Sequence, residues 1–195
     1  MSFKVAVVCE DHTLDQYVVV PIIRAVLSAA GKPQAVVRVV TSPQLRGISN
    51  VETEFEAIAT RYAAINDLVI FALDRDALDG QDGRGDRAAG FSSKVAALAP
   101  AIRDKVEVVL AVEETEVWAL WGVRAEIGDS WSVVRRERDS KERYFDPFVT
   151  KGDMRQPGQG RTRLVGLTLE QGWSSLSTGC PELADLKSRV AAKAA

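Results

Sequence analysis

The sequence predicts an α/β fold with a doubly wound, mostly parallel sheet and helices on both faces. Three observations predict it. Short apolar runs recur at residues 3–9, 35–40, 67–73 and 106–112, and such runs read as strands buried on both faces. The segments between them carry apolar residues at helical spacing. The resulting order, β-α-β-α-β-α-β, is the alternation that builds a parallel sheet through crossover helices.

The first strand is Lys4-Val5-Ala6-Val7-Val8-Cys9 with its flanking Phe3. The loop Glu10-Asp11-His12-Thr13 leads to a helix over residues 14–30, which carries Tyr17, Val18, Ile22, Val26 and Leu27. Pro21 lies inside this helix, so it bends there or its regular part starts near that point. Gly31 stops it and Pro33 follows. Residues 35–40 are the second strand, and residues 41–47 a loop. Ser49-Asn50-Val51-Glu52 fits a capping box, opening a helix with Val51, Phe55, Ile58, Tyr62 and Ile65 at helical spacing. The run Leu68-Val69-Ile70-Phe71-Ala72-Leu73 is so apolar that it reads as a central strand. Residues 77–90, rich in Gly and Asp, read as a mobile loop. A helix over residues 92–102, broken near Pro100, precedes the strand at 106–112. The acids Glu113, Glu114 and Glu116 then open a helix bearing Trp118 and Trp121, which read as core packing rather than base stacking. Residues 130–143 are charged, Gly158-Gln159-Gly160-Arg161 is loop, and residues 183–192 form a last helix. We expect an α/β core over residues 1–125 and an extension, residues 126–195, that completes the same domain.

Composition narrows the function classes. A net charge of −2 on 195 residues rules out a uniformly basic nucleic-acid binder. No apolar run approaches the ~20 residues of a membrane span, and Met1-Ser2-Phe3-Lys4 lacks the layout of a signal peptide. The expectation is a cytoplasmic location with no membrane partner. Two cysteines and one histidine exclude a Cys/His zinc site and a disulfide framework. Cys9 lies near His12 but reads as a strand-core thiol, and such thiols are inert. Residues 1–123 hold 17 acidic and 12 basic side chains, whereas residues 124–163 hold 7 and 10. The earlier part is thus suited to metal and the later to phosphate; a solvated surface explains the imbalance about as well.

The chemistry sits where strands end. Glu10 follows the first apolar run and Asp74-Arg75-Asp76 follows the third. In a parallel sheet, functional groups gather at the carboxyl ends of strands. Asp74 and Asp76 are two positions apart, so on extended backbone their side chains point the same way. Carboxylates converging there need a cation, and a hard oxygen-seeking ion such as magnesium or manganese fits. Glu10 completes the site or acts as general base, and Glu113, Glu114 and Glu116 would serve a second metal. The competing account is that acids simply end strands and begin helices, where the helix dipole favours them. The loop around Asp79-Gly80-Gln81-Asp82 fails as a calcium-binding EF-hand. Counting from Asp74, Leu78 and Gly85 fall at positions five and twelve, where oxygen ligands are required. Arg84 and Arg87 in that segment, and Lys141 and Arg143 further on, are candidate substrate-binding clamps for phosphate. No Walker lysine motif follows a strand, which argues against nucleotide-fuelled chemistry within this chain.

Glu10 after the first strand and Asp74-Arg75-Asp76 after a later one resemble the Toprim domain, the metal-binding fold of topoisomerases, primases and related nucleases. More narrowly, the chain resembles a small bacterial Toprim-related family, akin to the overcoming-lysogenization-defect nucleases. The segments that carry this are Val8-Cys9-Glu10-Asp11-His12-Thr13-Leu14-Asp15, the Asp-x-Asp strand end, Glu116-Val117-Trp118-Ala119-Leu120 and Cys180-Pro181-Glu182-Leu183. The resemblance implies Mg2+-dependent (or Mn2+-dependent) phosphodiester cleavage of nucleic acid. It casts Glu10 as general acid/base, Asp74 and Asp76 as metal ligands, and Glu116 and Lys141 as the further acid and lysine such nucleases use. It also implies an ATPase partner protein and a role in defence against phage, and it leaves a homo-oligomer open. Many Toprim proteins place Gly directly after the first Glu; here Asp11 stands there, adding a ligand or altering catalysis. The competing reading is a non-catalytic binding or regulatory subunit that keeps the fold. A phosphatase-like hydrolase of small molecules would share the metal but need a closed pocket.

Overall fold

Alternation along the strands decides the architecture. The computed structural model describes residues 2–75 and 87–193. Four strands, β1 (Lys4–Val8), β2 (Val36–Val39), β3 (Leu68–Asp74) and β4 (Val106–Ala111), form one parallel sheet in the order β2-β1-β3-β4. Val5 and Val7 of β1, with Ile70 and Ala72 of β3, face one apolar core. Ala6 and Val8, with Val69, Phe71 and Leu73, face the other. A two-residue period on strands buried on both faces makes the central β1 and β3 nearly continuous apolar runs, whereas the edge strand β2 keeps Val36 and Arg38 exposed. The fold is therefore a doubly wound parallel α/β fold.

Helix α1 (Gln16–Ala29) links β1 to β2 on the first face, and α2 (Ile48–Ala63) links β2 to β3 on the second. The chain thus moves one way along the sheet over one face and the other way over the opposite face, which keeps the crossovers of one hand. The reversal falls between β1 and β3, whose register pairs Val8 with Phe71. Such a reversal opens a crevice at the carboxyl ends of its two strands.

Pro21 lies within the single helix α1, and the helix begins only at Gln16, after turns that bond the Leu14 and Asp15 amides to the Asp11 carbonyl. The capping box expected at Ser49 is not formed. Gly47, at φ 80°, sets the entry to α2, and the Asn50 side chain instead accepts the Arg46 amide at 3.2 Å. Residues 77–86 of the expected loop lie outside the described residues, and residues 87–90 belong to α3 (Arg87–Ala97). A short α4 (Pro100–Arg103) follows with Pro100 at its start, where a missing amide costs nothing. Among the described residues, no helix is long and apolar enough to cross a membrane.

After β4 come α5 (Glu116–Leu120) and α6 (Trp131–Val134), a π-turn at Lys141–Phe145, then α7 (Arg161–Glu170), α8 (Trp173–Gly179) and α9 (Pro181–Lys193). Helix α7 packs on α1 and α5, while α9 packs on β4 and α1. Helices α7 and α8 were not expected from the sequence. Their packing is set by polar clasps: buried Thr168 donates to the Ala119 carbonyl and accepts the Gly122 amide, each at 2.8 Å. Trp118 is fully buried and donates to Glu182 at 2.9 Å. Trp121 meets Trp131 edge-on, with ring centroids 5.0 Å apart, and donates to Ser175.

Candidate functional site

Carboxylates stand at the carboxyl ends of β1 and β3. Glu10 stands two residues beyond the end of β1, and Asp74 ends β3. They meet directly, since the Asp74 amide donates to Glu10 Oε1 at 3.1 Å. Asp74 Oδ1 in turn accepts the Thr115 amide at 2.8 Å, which ties the loop after β4 to the same point. The Gly47 amide donates to the Glu10 carbonyl at 3.3 Å, so the loop before α2 closes another side. Three strand ends and one loop therefore converge on these two acids.

Glu116 and Asp15 complete the group. Burial drives the Asp74 carboxyl well above the ordinary carboxylate range, and the charges of Glu10, Glu116 and Asp15 push it further the same way. Asp15 is raised to about 7, by burial first and then by Glu116 and Asp11. Its Oδ2 accepts the Asp11 amide at 2.7 Å. Asp11 itself turns back on its own loop: Oδ1 accepts the Thr13 amide at 2.8 Å and the Thr13 hydroxyl. Burial raises the Asp11 carboxyl, but the Thr13 bonds outweigh it and leave the group below its usual value. Asp11 is thus a cap for its own turn.

Arg161 is a buried cation within this acidic group. Its guanidinium pairs with Glu116 Oε1, and both side chains are buried, at 4% and 6% exposure. Among the described residues, Arg161 Nε has no hydrogen-bond partner. Nothing in the sequence pattern signals this pairing; three consecutive positive-φ residues, Gly158 (85°), Gln159 (47°) and Gly160 (89°), swing the start of α7 into the site. Gly158 is required there twice over, since a Cβ would lie 2.6 Å from the Tyr17 ring. The loop after β4 holds a further strained residue, buried Glu113 at φ 64°.

The remaining expected site residues divide. Arg87 is at the site, donating from Nη1 to the Asp74 carbonyl at 3.0 Å. Asp76 and Arg84 lie outside the described residues. Lys141 meets the site's margin through its backbone, its amide donating to Glu114 Oε2 at 2.6 Å beside the Ser140 hydroxyl at 2.8 Å. Burial raises the Glu114 carboxyl, and those two bonds oppose the rise. Arg143 is engaged elsewhere: it pairs with Glu137 and with Asp129 at 3.3 Å, on an exposed surface. Cys9 is buried, and burial followed by the charges of Asp15, Asp11, Asp74 and Glu10 pushes its thiol far up, so it is no nucleophile.

No protein-family model, curated protein or solved structure matches this chain.

The donor set is all oxygen and net negative, which is the chemistry of a hard divalent cation. Among the described residues, no three Asp, Glu, His or Cys side chains stand close enough to grip an ion as they are. Asp76, the further oxygen donor expected from the Asp-x-Asp spacing, lies outside the described residues. Without a cation, crowding makes the site a source of instability with a defined pH dependence. The Asp15 carboxyl is raised on folding, so the folded chain holds its proton more tightly than the unfolded one. Its contribution is fully present below about pH 4 and is lost as pH rises to about 7. Asp15→Asn keeps an acceptor for the Asp11 amide and removes the charge. It is expected to flatten stability between pH 4 and 7 and to add about 2–4 kcal/mol at pH 8. Urea denaturation across that range checks it, and an unchanged pH profile overturns it.

Proposed function

We propose that this chain is a Mg2+- or Mn2+-dependent, Toprim-like phosphodiesterase acting on nucleic acid. The observation that carries the reading is the meeting of Glu10 and Asp74 at the sheet's reversal point, with the Asp74 amide on Glu10 Oε1 at 3.1 Å. Function gathers at such reversals in doubly wound sheets. The Asp74 carboxyl, raised by burial and by three neighbouring acids, supports a place for positive charge.

In this reading Asp74, Asp76 and Glu116 hold the cation. When bound, the cation orients a phosphate and stabilises charge at phosphorus. Glu10 moves the proton of the attacking or departing oxygen, as general acid/base. Arg87, whose Nη1 donates to the Asp74 carbonyl, brings a positive charge to the edge where a phosphate would bind. Arg161 holds Glu116 in place and lowers the net charge of the site. Arg143 has no part, because its guanidinium is already paired with Asp129 and Glu137. Lys141 keeps its proposed role only through its position beside Glu114.

The test is direct. Wild type, Glu10→Gln and the double variant Asp74→Ala/Asp76→Ala are incubated with labelled DNA and RNA in Mg2+ or Mn2+. Cleavage by wild type alone is the expected result. Cleavage by all three marks a contaminant and removes the support. Cation binding by wild type without cleavage, in the presence of a cognate ATPase, transfers the reading to a non-catalytic binding subunit.

A further inference from the structure

The two edges of the sheet are treated differently. At the β4 edge, cations of α9 occupy the outward backbone: Arg189 donates to the Val108 carbonyl at 2.9 Å and Lys193 to the Val106 carbonyl at 2.8 Å. Both are held by buried Glu107. That edge is blocked against an added strand. At the β2 edge nothing equivalent occurs. Val36 and Val40 turn their amides inward to the Phe3 and Val7 carbonyls, at 2.8 Å each. By strand alternation, Val37 and Val39 turn theirs outward. Among the described residues, those two amides and two carbonyls meet no partner.

Grooves flank this edge on both faces. One, of about 510 Å³, is floored by Ala6, Val40 and Tyr62 and rimmed by Val36 and Ile65, which are 40% and 66% exposed. The other, of about 310 Å³, lies beside Leu27 and Val37. Charge here has one sign. Lys4 and Arg38 line the first groove, Arg24 and Lys32 the second, and among the described residues neither lining holds a carboxylate. Asp67, next to the first groove, is turned onto the Lys4 amide at 2.7 Å.

We propose that the β2 edge is a docking site for an extended, acidic segment of a partner protein. The segment adds as a fifth strand, its backbone bonding Val37 and Val39. Alternate apolar side chains enter the groove beside Val36 and Ile65, and its carboxylates face Lys4, Arg38, Arg24 and Lys32. Strand addition of this kind takes affinity from main-chain bonds and specificity from alternate side chains. The four cations select the acidic partner and disfavour a second copy, because pairing two β2 edges would oppose cation to cation.

Random ten-residue peptides displayed on phage are selected on the full chain, and the best is synthesised. The proposal expects peptides that alternate apolar residues with Asp or Glu. Binding is expected to fall at least tenfold with Arg38→Glu/Lys4→Glu, to persist with Arg38→Lys, and to slow amide exchange at Val37 and Val39. All these substituted side chains are exposed, so folding is preserved. The proposal is overturned by selected peptides lacking acids, by equal affinity for the charge-reversed variant, or by slowed exchange at other sites alone. Sedimentation showing a dimer with Val37 and Val39 protected overturns it too, by naming a second copy as the occupant.

Discussion

Replacing Asp74 with Asn is expected to lower cation-dependent cleavage roughly 10²–10³-fold while making the cation-free protein more stable at pH 8. The two effects share one cause. Asp74 is a buried carboxyl pressed by Glu10, Glu116 and Asp15, so its charge opposes folding unless a cation is present. Asn retains an oxygen for the Thr115 amide, now bonded at 2.8 Å, and removes the charge. Melting curves complete the test. Wild type should gain stability from millimolar Mn2+, because binding to the folded state alone stabilises it. The gain should be larger at pH 8 than at pH 5, where protons compete for the same oxygens. Asp74→Asn should gain little at either pH. A variant that loses both cleavage and stability would assign Asp74 a structural role, and the cation site would fall with it.

Arg161→Met is expected to cost about 3–5 kcal/mol at pH 8, the usual penalty for stranding one partner of a buried ion pair. Met fills much of the same volume, so packing against Phe145, whose ring centre lies 5.3 Å from the guanidinium carbon, is largely kept. What is lost is the counter-ion of Glu116, in a group that already holds Asp74 and Asp15. Adding Glu116→Gln should therefore recover at least half of the loss, a coupling that urea denaturation of the double-mutant cycle reads directly. Manganese should also shrink the penalty of the single variant, by supplying charge where the guanidinium stood. A loss below about 1 kcal/mol, or one unchanged by Glu116→Gln, would show that the pair does not balance the site.

Glu10 and Asp74 were legible in the sequence because each directly follows an apolar strand, and strand ends in a parallel sheet share one edge. Arg87 was legible as a cation near that edge, although its helix, expected only from residue 92, starts at Arg87 itself. Asp15 was harder to read. It lies in the turn before α1, where an acid ordinarily caps a helix, yet its side chain caps nothing there and bonds the Asp11 amide instead. Arg143 stands on an exposed surface with its own acidic partners. Its charge suggested phosphate, but local charge says nothing about whether acids such as Glu137 and Asp129 already claim it. The capping box failed for a similar reason: Gly47 carries the positive φ that the turn into α2 needs, so the helix begins before Ser49.

The amino-acid order by itself determined the strands, their parallel arrangement between two helical layers, and the placing of Glu10 and Asp74 at strand ends, because apolar periodicity is a local property written over a few neighbouring residues. Only the tertiary structure decided that Arg161, 45 positions beyond Glu116, would neutralise it, and that Arg189 and Lys193 would close the β4 edge and leave β2 open. Those outcomes depend on how α7 and α9 pack against the sheet and α1, and ion pairing responds to distance in space, on which spacing along the chain has no hold.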